Sequence, residues 1–202
     1  MVKNMSFKIL IFVIGLLPFA MVAGNSMFIP IVPEIQEQMG LTPVEAGLVL
    51  TVFSIPAALM IPVIGVISDR FGRKKIVLGS LFLIMAGSLV SAVAAAFFSG
   101  NNAFSLLLFG RLLQGIGAGG TAPMAMALSG DLFEGEERSR ALGSIEVFNS
   151  LGKVVSPIIG AFVAVFFWFS TFYVYFVIAL IVFIGILKSV RLIPVNKEEF
   201  KM

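Results

Sequence analysis

Long unbroken runs of apolar residues dominate the pattern of this chain, and short polar segments separate them. Six runs stand out, at about 9–33, 44–67, 76–98, 104–128, 141–167 and 171–190. Each is long enough to cross a bilayer as an α-helix, which needs roughly 20 residues. The runs lack the alternation of apolar and polar residues that membrane-spanning strands require. The pattern predicts an all-α membrane protein, with six transmembrane helices within residues 1–190 and a cytoplasmic tail at 191–202.

Composition supports a membrane protein and argues against an enzyme or a metal site. Hydrophobic residues make up 59% of the chain and charged residues only 12%, with a mean hydropathy of +1.07. Soluble domains contain about a quarter charged residues. The chain has no cysteine and no histidine, so the usual ligands of zinc and the usual catalytic bases are missing. We expect no metal, no cofactor and no enzymatic activity.

The net charge of +3 lies in segments that flank the apolar runs, which indicates orientation in a bilayer and no nucleic-acid partner. Loops around 34–43, 99–103 and 168–170 contain no lysine or arginine. By the positive-inside rule, we expect a multi-pass protein of the cell membrane with both termini in the cytoplasm. The basic residues that set this orientation are Lys3, Lys8, Arg70, Arg73, Lys74, Lys75, Arg138, Arg140, Lys188, Arg191, Lys197 and Lys201.

The first apolar run is predicted to be a transmembrane helix and not a signal peptide. It is too long for a signal peptide and continues through Pro33 without a small-x-small cleavage site. Proline can stop a helix at the membrane surface without wasting a buried carbonyl group. We therefore expect Pro30 and Pro33 to end the first helix.

A dense charged segment joins the second and third runs and carries a recognisable motif. The segment contains the pattern G-x-x-x-D-R-x-G-R-K, from Gly65 to Lys74. This pattern resembles the signature loop between helices 2 and 3 of the major facilitator superfamily of secondary transporters. The resemblance implies a conformational latch at the inner ends of the helices, with Asp69 as its central acid and an acid after helix 4 on the same side. The predicted latch residues are Gly65, Asp69, Arg70, Gly72, Arg73, Lys74 and Asp131.

Helix 4 contains a charged residue inside an apolar run, which is costly unless it has a function. Arg111 is followed by Gln114, Gly115 and further small residues. This pattern is similar to the helix 4 motif of the same superfamily, whose arginine is assigned to proton coupling. The alternative is that Arg111 extends its side chain to the outer headgroups.

Helix 5 contains two charges, Glu146 and Lys153, which are seven residues apart and so lie on nearly the same face. Glu146 either belongs to the proton or substrate site or pairs with Arg70 or Arg73. Lys153 lies near mid-membrane, where a lysine lines a wet cavity or pairs with an acid. Asn25 in helix 1 is a further cavity candidate, or else a hydrogen-bonding link between helices.

The same helix resembles the antiporter motif of the superfamily's exporters, in which glycines flank a proline. Ser156 and Ala161 stand where that motif has glycine. Small residues at a spacing of four permit close helix contact, and a proline permits a bend. The residues that carry this resemblance are Gly143, Gly152, Ser156, Pro157 and Gly160.

The resemblance covers the whole chain but only the N-terminal half of the superfamily pattern. It implies a six-helix bundle built as a 3+3 inverted repeat, with the tail similar to the start of the central linker. The implied activity is proton-coupled efflux of small molecules, like a multidrug exporter, in which a second half is required. A homo-oligomer or a second polypeptide would supply that half. The alternative is a truncated, non-transporting remnant or an accessory membrane subunit.

Overall fold

The computed structural model describes residues 7–189, and within this range the chain is all helical, as predicted. The tail at 191–202 and the basic residues Lys3, Arg191, Lys197 and Lys201 lie outside it. Six stretches are long and apolar enough to cross a membrane. The helices are α1 (Phe7–Ser26), α2 (Val32–Met39), α3 (Pro43–Phe71), α4 (Arg73–Phe97), α5 (Gly100–Ala118), α6 (Ala122–Leu132), α7 (Gly135–Ala164) and α8 (Ser170–Ser189).

The first helix ends earlier than predicted, at Ser26 and not near Pro33. The amide of Phe28 donates to the Asn25 carbonyl at 3.0 Å, a tighter bond than that of an α-helix. A 3-10 turn follows at Ile29–Ile31, and Pro33 lies in the first turn of α2, where its missing amide proton costs nothing. The prolines therefore shape a turn and a new short helix.

The fourth predicted helix is interrupted, because α5 ends at Ala118 and α6 begins at Ala122. Pro123 has no amide proton for the carbonyl of Gly119, four residues earlier. The amides of Gly120 and Thr121 instead donate three residues back, at 3.0 Å each. The two helices together form one membrane-spanning stretch from Gly100 to Leu132.

The charged segment between α3 and α4 is shorter than its sequence suggests. Asp69 and Arg70 lie in the last turn of α3, and Arg73 opens α4. Only Gly72 separates the helices, with a positive φ of 91°. Residues that have a side chain rarely adopt this backbone conformation, which explains why glycine stands where the chain reverses direction between α3 and α4.

Glycine contacts bring the helices close together around α5. A Cβ atom at Gly110 would lie 2.6 Å from the Gly87 carbonyl oxygen on α4. On another face of α5, a Cβ atom at Gly115 would lie 3.1 Å from the Cα atom of Phe53 on α3. Side chains at either glycine would force the backbones apart, so α5 packs directly on two neighbours.

The helix contacts follow the predicted repeat of three spans. The first span packs extensively on the fifth (α1 on α7), and the fourth packs on the second (α5 on α3). The third and sixth spans, α4 and α8, pack on each other. The second span of each repeat is the least covered: 17% of the most apolar stretch is buried in α3 and in α7, against 50% in α4.

Candidate functional site

Arg111 lies at the centre of the bundle with no exposed surface. Its Nε donates to the carbonyl oxygen of Val49 on α3 at 2.8 Å. Nη1 donates to the carbonyl oxygen of Gly24 on α1 and to Oε1 of Gln114, both at 2.8 Å. One side chain thus joins α1, α3 and α5. An extension of Arg111 to the outer headgroups, one of two predicted alternatives, is wrong.

Two aromatic rings enclose the guanidinium group. The Arg111 Cζ atom lies 4.3 Å from the ring centre of Phe28 and 4.6 Å from that of Phe53. Ring faces attract cations, which offsets part of the cost of removing the charge from water. Among residues 7–189 Arg111 forms no ion pair with a carboxylate. Carbonyl dipoles and rings therefore stabilise the charge.

Gln114 extends this centre to α4. Its Nε2 donates to the hydroxyl of Ser88 at 3.1 Å, and that hydroxyl donates to the Ile84 carbonyl oxygen at 2.8 Å. Tyr175 on α8 also reaches this centre, because its hydroxyl and the ring of Phe53 both abut the missing Cβ position of Gly24. The sequence motif predicted Arg111 and Gln114 as site residues. It did not predict Ser88 and Tyr175, because a single hydroxyl group in an apolar run does not indicate a site.

Three of the predicted latch residues, Asp69, Arg73 and Asp131, meet at one end of the bundle, called here the basic end, which carries the junctions α3–α4 and α6–α7. The Nε of Arg73 lies 3.0 Å from Oδ2 of Asp131, which is on α6. The Nη2 of Arg73 lies 3.9 Å from Oδ1 of Asp69, on the preceding helix. Arg73 therefore holds the two acids together, with the closer contact to Asp131.

Lys74 links the same end to the last helix. Its Nζ donates to the carbonyl oxygen of Leu187 on α8 at 2.9 Å. A cation is favourable there, because the last carbonyl groups of a helix carry partial negative charge. Arg70 is exposed, and Gly65 has open space where a side chain would be. The structure thus brings Asp69, Arg73 and Asp131 together, and leaves Arg70 and Gly65 outside that contact.

The small residues of α7 pack on α1 and on the turn that follows it. A Cβ atom at Gly160 would lie 2.9 Å from Met27 Cα, and one at Gly152 would lie 3.2 Å from Val22 Cβ. Ser156, between them, is fully buried. Gly143 differs, because no atom lies within 4 Å of its Cβ position. The antiporter-like motif therefore makes a tight helix pair from Gly152 to Gly160, and Gly143 stands outside it.

Glu146 and Lys153 of α7 are exposed. Oε1 of Glu146 accepts a hydrogen bond from Nδ2 of Asn149 at 3.0 Å. The predicted alternative in which Glu146 pairs with Arg70 or Arg73 does not form, since Arg73 contacts Asp131 and Asp69. Lys153 makes no ion pair within residues 7–189.

Polar residues on neighbouring helices extend the exposed surface. Nδ2 of Asn25 on α1 donates to Oγ of Ser54 on α3 at 3.1 Å, and both residues are half-buried. Asn25 therefore forms a link between helices at the edge of the core.

On α7, Asn149 and Ser150 lie on the same side of the helix as Glu146 and Lys153. The spacing of these four polar residues is visible in the sequence and indicates a polar stripe.

Within the described part of the chain, no group of three or more acidic, histidine or cysteine side chains is placed to hold a metal ion. The charged and polar groups instead form a sealed centre at Arg111, a latch at the basic end, and an exposed stripe on α7.

Several known proteins are similar to this chain in sequence. The bacillibactin exporter of Bacillus subtilis is 44% identical over 157 residues, which are 77% of this chain and 39% of the exporter. The multidrug resistance protein MdtL of Shewanella oneidensis is 30% identical over 161 residues, 79% of this chain and 39% of that protein. The chain therefore matches less than half the length of these relatives.

A solved structure shares the fold. The crystal structure of the human organic anion transporter MFSD10 superposes with a TM-score of 0.76 at 20% sequence identity, and the match covers 96% of this chain and 50% of that one. The family model described as Major Facilitator Superfamily matches residues 14–201. This chain belongs to the Major Facilitator Superfamily.

Proposed function

We propose that this bundle is one half of a proton-coupled exporter of small organic molecules, completed by a second six-helix half. The observation that carries the proposal is the exposure of α3 and α7, the least covered spans, together with a Lys153 that forms no ion pair within residues 7–189. A charge near the bilayer centre costs about 2.5 to 3.5 kcal/mol on insertion scales. A second half would cover these faces and enclose water and cargo between the halves, as in other two-halved transporters.

The names of the relatives indicate which class of molecule this chain would export. One is named as an exporter of bacillibactin and another as a multidrug resistance protein. We therefore expect export of a small organic molecule, and a proton gradient as the energy source. Glu146 is our candidate for the proton-binding acid, because its carboxylate is exposed and lies well inside α7.

Arg111 is proposed for a supporting role in coupling. Its hydrogen bonds fix α1, α3 and α5 to one another, so these helices would move as one body. The moving contact would then be the latch of Asp69, Arg73 and Asp131 together with the faces of α3 and α7. Separation of the two halves at the basic end would break contacts of the latch with the second half.

Proton-linked transport of a dye into inside-out vesicles tests the proposal. Vesicles containing this chain with its second half should accumulate a dye when energised, and an uncoupler should abolish the accumulation. Vesicles with this chain alone serve as the control and should show none. An assembled, correctly inserted pair that moves no solute would favour the alternative of a remnant or accessory subunit.

A further inference from the structure

We propose that Lys153 binds an anionic group of the cargo and so selects organic anions. The inference rests on the proposed function, since it assigns a ligand to the cavity between the two halves. It follows from the depth of Lys153, from the polarity of its side of α7, and from the lack of a carboxylate partner for Lys153 within residues 7–189.

Lys153 lies deep in the membrane-spanning part of its helix. It is about 16 Å along the axis from Ala164, the end of α7, at a rise of 1.5 Å per residue. A lysine side chain reaches the headgroups only when its helix position is near the end. The ammonium group of Lys153 therefore needs a polar environment at depth.

The surface of α7 is divided into a polar flank and an apolar flank. Glu146, Asn149, Ser150 and Lys153 follow one another at steps of three, one and three residues, which keeps them on one side of a helix. The apolar flank is formed by Val147, Leu151, Val154 and Ile158, all of them exposed. The apolar flank suits lipid or hydrophobic contact, and the polar flank suits water.

The other charges near this depth are already held by partners. Arg111 is enclosed by carbonyl groups and rings, and has no surface to offer a solute. Glu146 accepts a hydrogen bond from Asn149 and lies about 10 Å from Lys153 along the axis, beyond ion-pair distance. Within residues 7–189, Lys153 is thus a cation on the polar flank without a carboxylate partner. A carboxylate, phenolate or sulfonate of a bound molecule would supply the missing charge.

Protection of a single cysteine tests this assignment directly. The chain has no cysteine, so Ser150→Cys places one thiol beside Lys153 on the polar flank. In native membranes, where any second half is present, its alkylation by N-ethylmaleimide is measured with the anionic dye fluorescein and with the cationic dye rhodamine. Fluorescein should slow the reaction in a saturable manner, and rhodamine should not.

The charge at position 153 should decide the protection. Ser150→Cys with Lys153→Gln should need about tenfold more fluorescein, the scale of losing one charge-assisted hydrogen bond. Ser150→Cys with Lys153→Arg should keep the protection. Ile158→Cys, on the apolar flank, should show none.

Unchanged protection with Lys153→Gln, equal protection by both dyes, or none by either dye would each overturn the assignment. Loss of the second half from the Lys153→Gln protein would also overturn it, because Lys153 would then pair with that half. Protection is a binding measurement, so absent proton-linked efflux with normal protection would reject the proposed function alone.

Discussion

The Nη1 atom of Arg111 donates to the Gly24 carbonyl oxygen at 2.8 Å, across 87 residues of sequence. The Gly24 carbonyl lies at the point where α1 begins to tighten into its 3-10 turn, and the arginine ties that point to α5. With its bond to Val49, Arg111 connects three helices. The first prediction concerns the stability that depends on this contact.

Arg111→Ala should lower the free energy of unfolding by about 3 kcal/mol or more, because it leaves a cavity in place of a large buried side chain and removes the hydrogen bonds that join three helices. Arg111→Lys should lower the free energy of unfolding by less than Arg111→Ala does, but it should not restore the wild-type value, because an ammonium group cannot form the same fork of hydrogen bonds. Thermal unfolding followed by the single tryptophan, Trp168, measures the effect. Arg70→Lys, an exposed change, is the control; an Arg111→Ala protein that melts with the wild type would contradict the prediction.

The second prediction separates two glycines of the antiporter-like motif. Gly160→Ala should destabilise the bundle by about 1 to 3 kcal/mol, since the added methyl group meets the backbone at Met27. Gly143→Ala has open space and should be neutral or stabilise α7 by up to about 1 kcal/mol, from helix propensity. Equal melting shifts in the two variants would show that α1 does not pack on α7 in this way.

The membrane spans were predictable from the length of the apolar runs. The loop motif was predictable because specific residue types recur at fixed positions in it. The broken regions near Ser26 and Gly119 were not, since a proline in an apolar run leaves the place of the break open. The burial of Arg111 was also hidden: a helix that is apolar on all sides does not reveal which face packs inward. The bond from Lys74 to Leu187 joins residues 113 positions apart, and no local pattern indicates it.

The third prediction concerns the latch. Asp131→Asn should cost up to about 1 kcal/mol of stability, because its contact with Arg73 is close but partly exposed. Asp69→Asn should leave stability unchanged, since its distance to Arg73 is 3.9 Å and half of its side chain is exposed. On the proposed function, Asp69→Asn should still reduce transport. Normal efflux by a well-expressed Asp69→Asn protein would count against the latch.

The fourth prediction is the orientation in the membrane. Asn101→Cys, in the first turn of α5, should react with an impermeant thiol reagent added outside intact cells. Lys75→Cys, at the basic end, should react only after permeabilisation, because basic loops stay in the cytoplasm. Both positions are exposed in the bundle, so access across the membrane decides the result. The reverse labelling would invert the topology.

The last prediction is that α3 and α7 form the surface that meets a second half or a second copy. Exposed side chains occur on every span, so exposure alone does not identify an interface. These two helices differ because they are the least covered and because Lys153 and Glu146 lie on one of them. Covering these faces removes the cost of leaving charged groups against lipid, whereas apolar faces gain nothing by leaving lipid.

Cysteine cross-linking in native membranes distinguishes these cases. Ala58→Cys on α3 and Ser150→Cys on α7 should cross-link to a neighbouring chain. Phe82→Cys on α4 and Ile181→Cys on α8, which are 61% and 56% exposed, are matched controls and should remain uncross-linked. If the controls cross-linked and the α3 and α7 variants did not, the bundle would associate through another face, and the cavity proposed beside Lys153 would have no second wall.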